Sequence, residues 1–139
     1  MNASGTRLAE LRIGPIEARI DRDQVLAYAR ATALDGSVPG ADEVPATFPA
    51  VWLWHPAAAG ILAEAANHAG RAPVLTAQRF EYRAPLAIGR GYRFEIERFA
   101  DVVDPDVFLI EASVSDLDGR LVAVFVATYR LFDLAEPLP

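Results

Sequence analysis

The chain contains no cysteine and no lysine, and only two histidines and one methionine among its 139 residues. Without thiols there are no disulfide staples, no thiolate nucleophiles and no cysteine-ligated metals. Without lysine, Schiff-base chemistry and lysine general-base catalysis are closed, and all 13 basic residues are arginine. The histidines, His55 and His68, are thirteen residues apart with no ligand-like spacing, so no metal site is expected. A phosphate-cradling glycine loop and a Gly-x-Ser-x-Gly elbow are both missing, and no cofactor is expected. No apolar run approaches the roughly 20 residues of a membrane span. The segment Met1-Asn2-Ala3-Ser4-Gly5-Thr6-Arg7 has no basic stretch leading into an apolar core. A cytoplasmic location follows as the expectation. The net charge of −6 argues against sequence-independent binding to nucleic acid or to acidic membranes.

What is present fits one domain over 1–139, with 1–12 a loose arm. Ile16, Ala18 and Ile20 share one face of a short edge strand over 16–20. Asp21 is placed to cap a helix over 22–33, whose apolar stripe is Val25, Leu26, Ala29 and Ala33. The Gly/Pro/Asp-rich stretch 34–49 reads as loop, and a short extended stretch over 46–54 leads into Pro56. Proline suits a first helical turn, and an alanine-rich helix is predicted over 56–69 with Gly70 as its stop.

Four strands are predicted after it, over 74–84, 91–103, 107–116 and 121–132. Gln78, Phe80 and Tyr82 alternate with Arg79, Glu81 and Arg83, and Tyr92, Phe94 and Ile96 alternate with Arg93, Glu95 and Glu97. That alternation predicts an antiparallel sheet with one face on a core and the other in solvent. Asp118-Gly119 marks a hairpin between the last two strands. The final strand is apolar on both faces, as for a central strand or one covered by a second subunit. Six arginines between Arg71 and Arg98 can form a positive patch within the acidic total, suited to an anionic tail or to a solvated sheet face.

Three segments carry a resemblance to a known family. Val25-Leu26-Ala27-Tyr28-Ala29-Arg30-Ala31-Thr32 is similar to the first helix of the MaoC-like dehydratases. Val44-Pro45-Ala46-Thr47-Phe48-Pro49 is similar to the segment that leads into their central helix. Phe80-Glu81-Tyr82-Arg83-Ala84-Pro85-Leu86-Ala87-Ile88-Gly89 is similar to their aromatic, proline and glycine strand end. The resemblance covers about 12–132 and is closest to the family's N-terminal-type half-domain. It implies an α+β hot-dog fold, an antiparallel sheet wrapped around the central alanine-rich helix. It also implies acyl-CoA or acyl-carrier-protein thioesters as ligands, hydration or dehydration as the reaction, and a homodimer or pairing with another hot-dog subunit.

The chain departs from the family's catalytic members. Their Gly-Asp-x-Asn-Pro-x-His-like signature has only Asp35 and Gly36 as counterparts here. The histidine that the related carrier-protein dehydratases place before Phe-Pro is Thr47. Glu64 and His68, four apart on the stripe of Ala57 and Gly60, are either an acid/base with its orienting partner or an exposed helix pair. His55 is a displaced catalytic histidine, a helix cap or a surface residue, and Asp35 a remnant acid. Gly60 lets a ligand approach the backbone, and the amides from Pro56 to Gly60 can face a thioester oxygen. Phe48, Trp52 and Trp54 are core or dimer packing, or the wall of an acyl pocket. Three functions therefore compete. They are an acyl-thioester hydratase/dehydratase, a hot-dog acyl-CoA thioesterase in which Glu64 or Asp35 activates water, and a non-catalytic half-domain pairing with a catalytic one.

Overall fold

The computed structural model describes residues 9–32, 43–56, 58, 60 and 71–134. In chain order these form β1 (Leu11–Arg19), α1 (Arg22–Thr32), a 3-10 helix (Phe48–Trp54), β2 (Arg71–Tyr82), β3 (Gly91–Ala100), β4 (Val107–Asp116) and β5 (Leu121–Asp133). The five strands make one antiparallel sheet in the order β1-β3-β4-β5-β2. The helix expected over 56–69 lies almost wholly outside the described residues; within it, Ala58 is buried and Gly60 is helical.

Strand parity builds the core. Tyr92, Phe94 and Ile96 of β3 turn to one face with Phe108, Ile110, Ala112 and Val114 of β4 and Phe125, Ala127 and Tyr129 of β5, and all are buried. Val25 of α1 and Phe48, Trp52 and Leu53 of the 3-10 helix join the same cluster. The Trp52 indole stacks on the Phe94 ring, 5.1 Å between centroids and 5° from parallel. Each such side chain contributes about 1.5–3 kcal/mol by leaving water. β5 lies between β4 and β2, an interior position in the sheet.

Two bulges keep the apolar side chains on the core face. Ile13 pairs with Ile96 but Ile16 pairs with Phe94, so β1 holds one extra residue and its inward parity switches from odd to even. Gly14 makes this possible: its φ is +115°, and a Cβ there would stand 2.8 Å from the Phe94 carbonyl oxygen. β1 thus begins at Leu11 rather than at Ile16, because alternation read straight through the bulge hides the first half of the strand. In β2 the extra residue is Thr76, whose hydroxyl donates to the Thr128 carbonyl oxygen at 3.2 Å.

Other boundaries also have local causes. Asp21 Oδ1 accepts the Asp23 amide at 3.1 Å, the expected cap of α1. The stretch 46–54, expected to be extended, is wound instead into the 3-10 helix. Alternation would put Trp52 and Leu53 on opposite faces, whereas winding buries both together with Phe48. β3 stops at Ala100 because Asp101 Oδ2 takes the amides of Val103 (3.0 Å) and Asp104 (2.8 Å) into a turn. β2 ends at Tyr82: the Arg83 and Ala84 amides both reach the Val122 carbonyl oxygen, and Pro85 has no amide to extend the ladder. The Asp116–Arg120 turn closes with Gly119 at φ +90° and the Asp116 carboxylate accepting two amides.

Candidate functional site

The three segments that carry the family resemblance converge on one place. An apolar cleft of about 410 Å³ lies between Val44 and Ala46 on one side and Tyr82, Arg83, Ala84, Pro85 and Leu86 on the other. α1 supplies Tyr28, whose hydroxyl lies 2.5 Å from the Thr47 hydroxyl. Tyr82, on the inward parity of β2, donates its hydroxyl proton to the Ala46 carbonyl oxygen. Two phenols therefore clamp the Ala46-Thr47 peptide between α1 and the end of β2, and the clamped segment forms one wall of the cleft.

Partial burial pushes the Tyr82 phenol up to about 12, and the nearby Tyr28 phenol adds to the shift. At neutral pH Tyr82 is a protonated donor, not a base. In the Tyr28–Thr47 pair one hydroxyl donates and the other keeps its proton for a third group. The described residues lining the cleft include no carboxylate and no imidazole. The arrangement can hold an apolar chain, but none of its described side chains takes up a proton near neutrality. Arg83 is the one charged residue among those lining it.

The residues expected to act chemically lie elsewhere. His55 follows the 3-10 helix, half-buried, its ring edge-on to Phe94 at 6.0 Å. It lines a separate, more polar hollow of about 380 Å³ with Glu17, Arg19, Gln24 and Trp52. Phe48 is buried with its ring edge-on to Tyr28 at 5.6 Å, and Trp52 is covered by its stack on Phe94. Neither lines the apolar cleft. Trp54 ends the 3-10 helix. Gly60 is exposed, and no atom of the described residues comes within 4 Å of where its Cβ would be. Glu64, His68 and Asp35 lie outside the described residues. Among the described residues no three metal-ligating side chains cluster, and no helix is long and apolar enough to cross a membrane.

Tyr28, Tyr82 and Arg83 went unrecognised as site residues although all three stand inside the resembling segments. The available signal was positional. Tyr82 is the last inward residue before a strand-ending proline, where a side chain leaves the packed core for an opening.

No family model matches the chain, and no curated protein sequence matches it significantly. Solved structures do match. The C-terminally truncated HadBC (3R-hydroxyacyl-ACP dehydratase) complex from Mycobacterium tuberculosis superposes with a TM-score of 0.64 at 19% identity, over 91% of this chain and 98% of that one. Slr0204, a 1,4-dihydroxy-2-naphthoyl-CoA thioesterase from Synechocystis, gives 0.58 at 15% identity, over 93% and 90%. The (R)-hydratase from A. caviae involved in PHA biosynthesis gives 0.54 at 16%, over 90% and 97%. At these identities the likeness shows the fold: the chain has the expected α+β hot-dog fold, and dehydratases are among the structures it resembles.

Proposed function

We propose that this chain is an acyl-thioester-binding subunit of the MaoC-like hydratase/dehydratase group. In this reading it holds the acyl chain in the cleft at the end of β2 and depends on a second hot-dog chain for proton transfer. The observation that carries the reading is chemical. The cleft is apolar and large enough for a small ligand, yet its described lining has no group able to take a proton at neutral pH. Dehydration of a 3-hydroxyacyl thioester needs a base at C2, an acid at the C3 hydroxyl and donors at the thioester oxygen. The one hydroxyl in the described lining, that of Tyr82, is engaged with the Ala46 carbonyl oxygen.

The free edge of β2 supports pairing. This strand of 12 residues closes one side of the sheet, is exposed along most of its length, and pairs on its outer edge with no other strand among the described residues. Tyr82 and the cleft lie at its end, so a chain adding there borders the cleft and can bring an acid/base to it. Within this chain the candidates for that role are Glu64, with His68 beside it, and His55; a copy of the same chain as partner makes a homodimer, a catalytic relative a hetero-pair.

Hydration of crotonyl-CoA by the purified chain, alone and titrated with a hot-dog subunit bearing the Gly-Asp-x-Asn-Pro-x-His-like signature, tests the reading. Weak or no turnover alone and hydration on pairing are expected. Brisk hydration by the purified chain alone overturns the dependence on a catalytic relative, and its loss in Glu64→Gln or His55→Ala assigns the proton transfer to this chain's own residues. Because thioesterases are also among the similar folds, acyl-CoA hydrolysis is followed in parallel. Hydrolysis without hydration replaces the reading with the thioesterase one.

A further inference from the structure

Six arginines crowd the sequence between Arg71 and Arg98, and the structure separates their roles. Arg71 pairs with Asp106 and Asp133, Arg79 with Glu81, Arg93 with Glu17 and Arg98 with Glu10. These four are absorbed into the protein's own charge balance. Arg83 and Arg90 have no ion pair among the described residues. Arg90 stands in the exposed approach to β3 and does not line the cleft, whereas Arg83 does.

The backbone of Arg83 is held in place. Its amide donates to the Val122 carbonyl oxygen at 2.8 Å and the next amide shares the same acceptor at 3.3 Å, so the side chain starts from a point at the end of β2 that is fixed to β5. Its guanidinium is exposed, and the hollow it borders is walled by Val44, Ala46, Ala84, Pro85 and Leu86. An isolated anion gains little from one solvated arginine, and an isolated alkyl chain gains only apolar burial. A ligand with both parts is favoured by both.

We infer that Arg83 is the anion-holding residue of the cleft and selects ligands whose apolar acyl chain is joined to a negatively charged group. This rests on the acyl-binding reading above and adds to it the ligand's second half. The chain lies against the five apolar residues, and the anion, a phosphate of the thioester carrier or the carboxylate of a free fatty acid, meets the guanidinium at the rim. A guanidinium offers two parallel N–H donors to either group, which a lone ammonium does not.

Calorimetric titration of the full chain and of Arg83→Gln, Arg83→Lys and Ala84→Leu tests the inference. The probes are octanoyl-CoA, the uncharged octanoyl-pantetheine, and octanoate. Arg83→Gln is expected to weaken octanoyl-CoA roughly two- to fivefold at low salt, the range of an exposed charge pair, and to leave octanoyl-pantetheine unchanged. Arg83→Lys should recover part of the loss, and added salt should narrow the gap between wild type and Arg83→Gln. Ala84→Leu should weaken all three probes by filling the space for the chain. A parallel loss for octanoate makes any anion sufficient; a loss confined to octanoyl-CoA identifies the phosphate. Equal affinity of wild type and Arg83→Gln for octanoyl-CoA overturns the role of Arg83 while the acyl-binding reading stands. No binding of octanoyl-CoA or octanoyl-pantetheine to the wild type overturns both.

Discussion

The two ends of strand β2 solve opposite problems with the same residue types. At its start, Arg71 reaches Asp106 at 2.7 Å and Asp133 at 3.1 Å, and nearby Arg130 reaches Asp104 at 2.7 Å. Asp101 and Asp104 also gather the loop's own amides, so that end pairs most of its polar groups internally, the exception being Arg71 Nε, which lies 3.1 Å from Asp133 without making a hydrogen bond. At the other end Arg83 pairs with no carboxylate among the described residues, it borders an apolar cleft, and the tyrosines near it use their hydroxyls to hold the cleft's wall. Polar groups satisfied by the protein stabilise it, and groups left for a ligand are where function is to be sought. Counting arginines does not separate the two ends; the position of carboxylates does.

The scaffold common to both ends should be the most sensitive point. Phe94 is fully buried beneath Trp52, and Phe94→Ala is expected to cost about 3–5 kcal/mol in denaturant unfolding, the range for truncating a core phenylalanine. A loss under about 1 kcal/mol would mean that the two ends are not carried on a common core.

Tyr82→Phe probes the open end alone. It leaves the Ala46 carbonyl oxygen without its donor at a half-exposed position, so a loss of about 0.5–1.5 kcal/mol is expected. The pH dependence has a definite sign. Because the folded phenol is raised from 10.0 to about 12, its contribution is complete below pH 10 and is lost as pH rises through about 12. Ultraviolet titration should find a late-ionising tyrosine that disappears in the variant, and the alkaline fall in stability should become shallower. Tyr129, also raised by burial, supplies the control.

Asp104→Asn tests the closed end. The Asp106 amide, followed by Arg130, holds the Asp104 carboxyl below its ordinary 3.8. Its contribution is therefore present above pH 3.8 and lost as pH falls through the lower folded value. Thermal melts between pH 2 and pH 5, a range of about one unit or more either side of an ordinary carboxyl, should show a flatter acid limb in the variant and unchanged acyl binding. Altered binding would join the two ends in one network.

The smallest effect is expected between them, on the outer face of the sheet. Desolvation, then the neighbouring Glu97, raises the Glu111 carboxyl, with Arg79 opposing and Glu81 adding. A raised carboxyl contributes fully below 4.5 and loses that contribution as pH rises through its folded value, so the charged form is a liability at neutrality. Glu111→Gln should raise the melting temperature slightly at pH 7, with a gain that vanishes on acidification. A lower melting temperature at pH 7 would show that the carboxylate is needed by a partner.

Much of the sheet was legible before any coordinates. β4 runs over 107–116 as the alternation predicts, and Asp21 and the Asp118-Gly119 turn do what their side chains allow. Two kinds of element escaped. Alternation breaks at a bulge, which concealed the start of β1 around Gly14. Aromatic residues over 46–54 satisfy a strand pattern as well as a wound one, and only the core that Phe48, Trp52 and Leu53 share chooses between them. For the site, the rare ionisable residues His55, Glu64 and His68 draw the eye in the sequence, whereas the described cleft is bounded by one tyrosine, an arginine and apolar side chains. Such residues are common in any sequence and become a site only by convergence.

Residue order alone determined the inward and outward sides of β3 and of the end of β2, the cap of α1, the final hairpin and the exclusion of thiol and lysine chemistry, because each depends on neighbours within a few positions or on composition. Only tertiary structure decided that Tyr28, Thr47 and Tyr82 meet, that four of six clustered arginines are consumed by carboxylates, and that Arg83 borders an apolar opening. Those facts join residues as far apart in the chain as Glu10 and Arg98, and such pairings arise only when the sheet has folded.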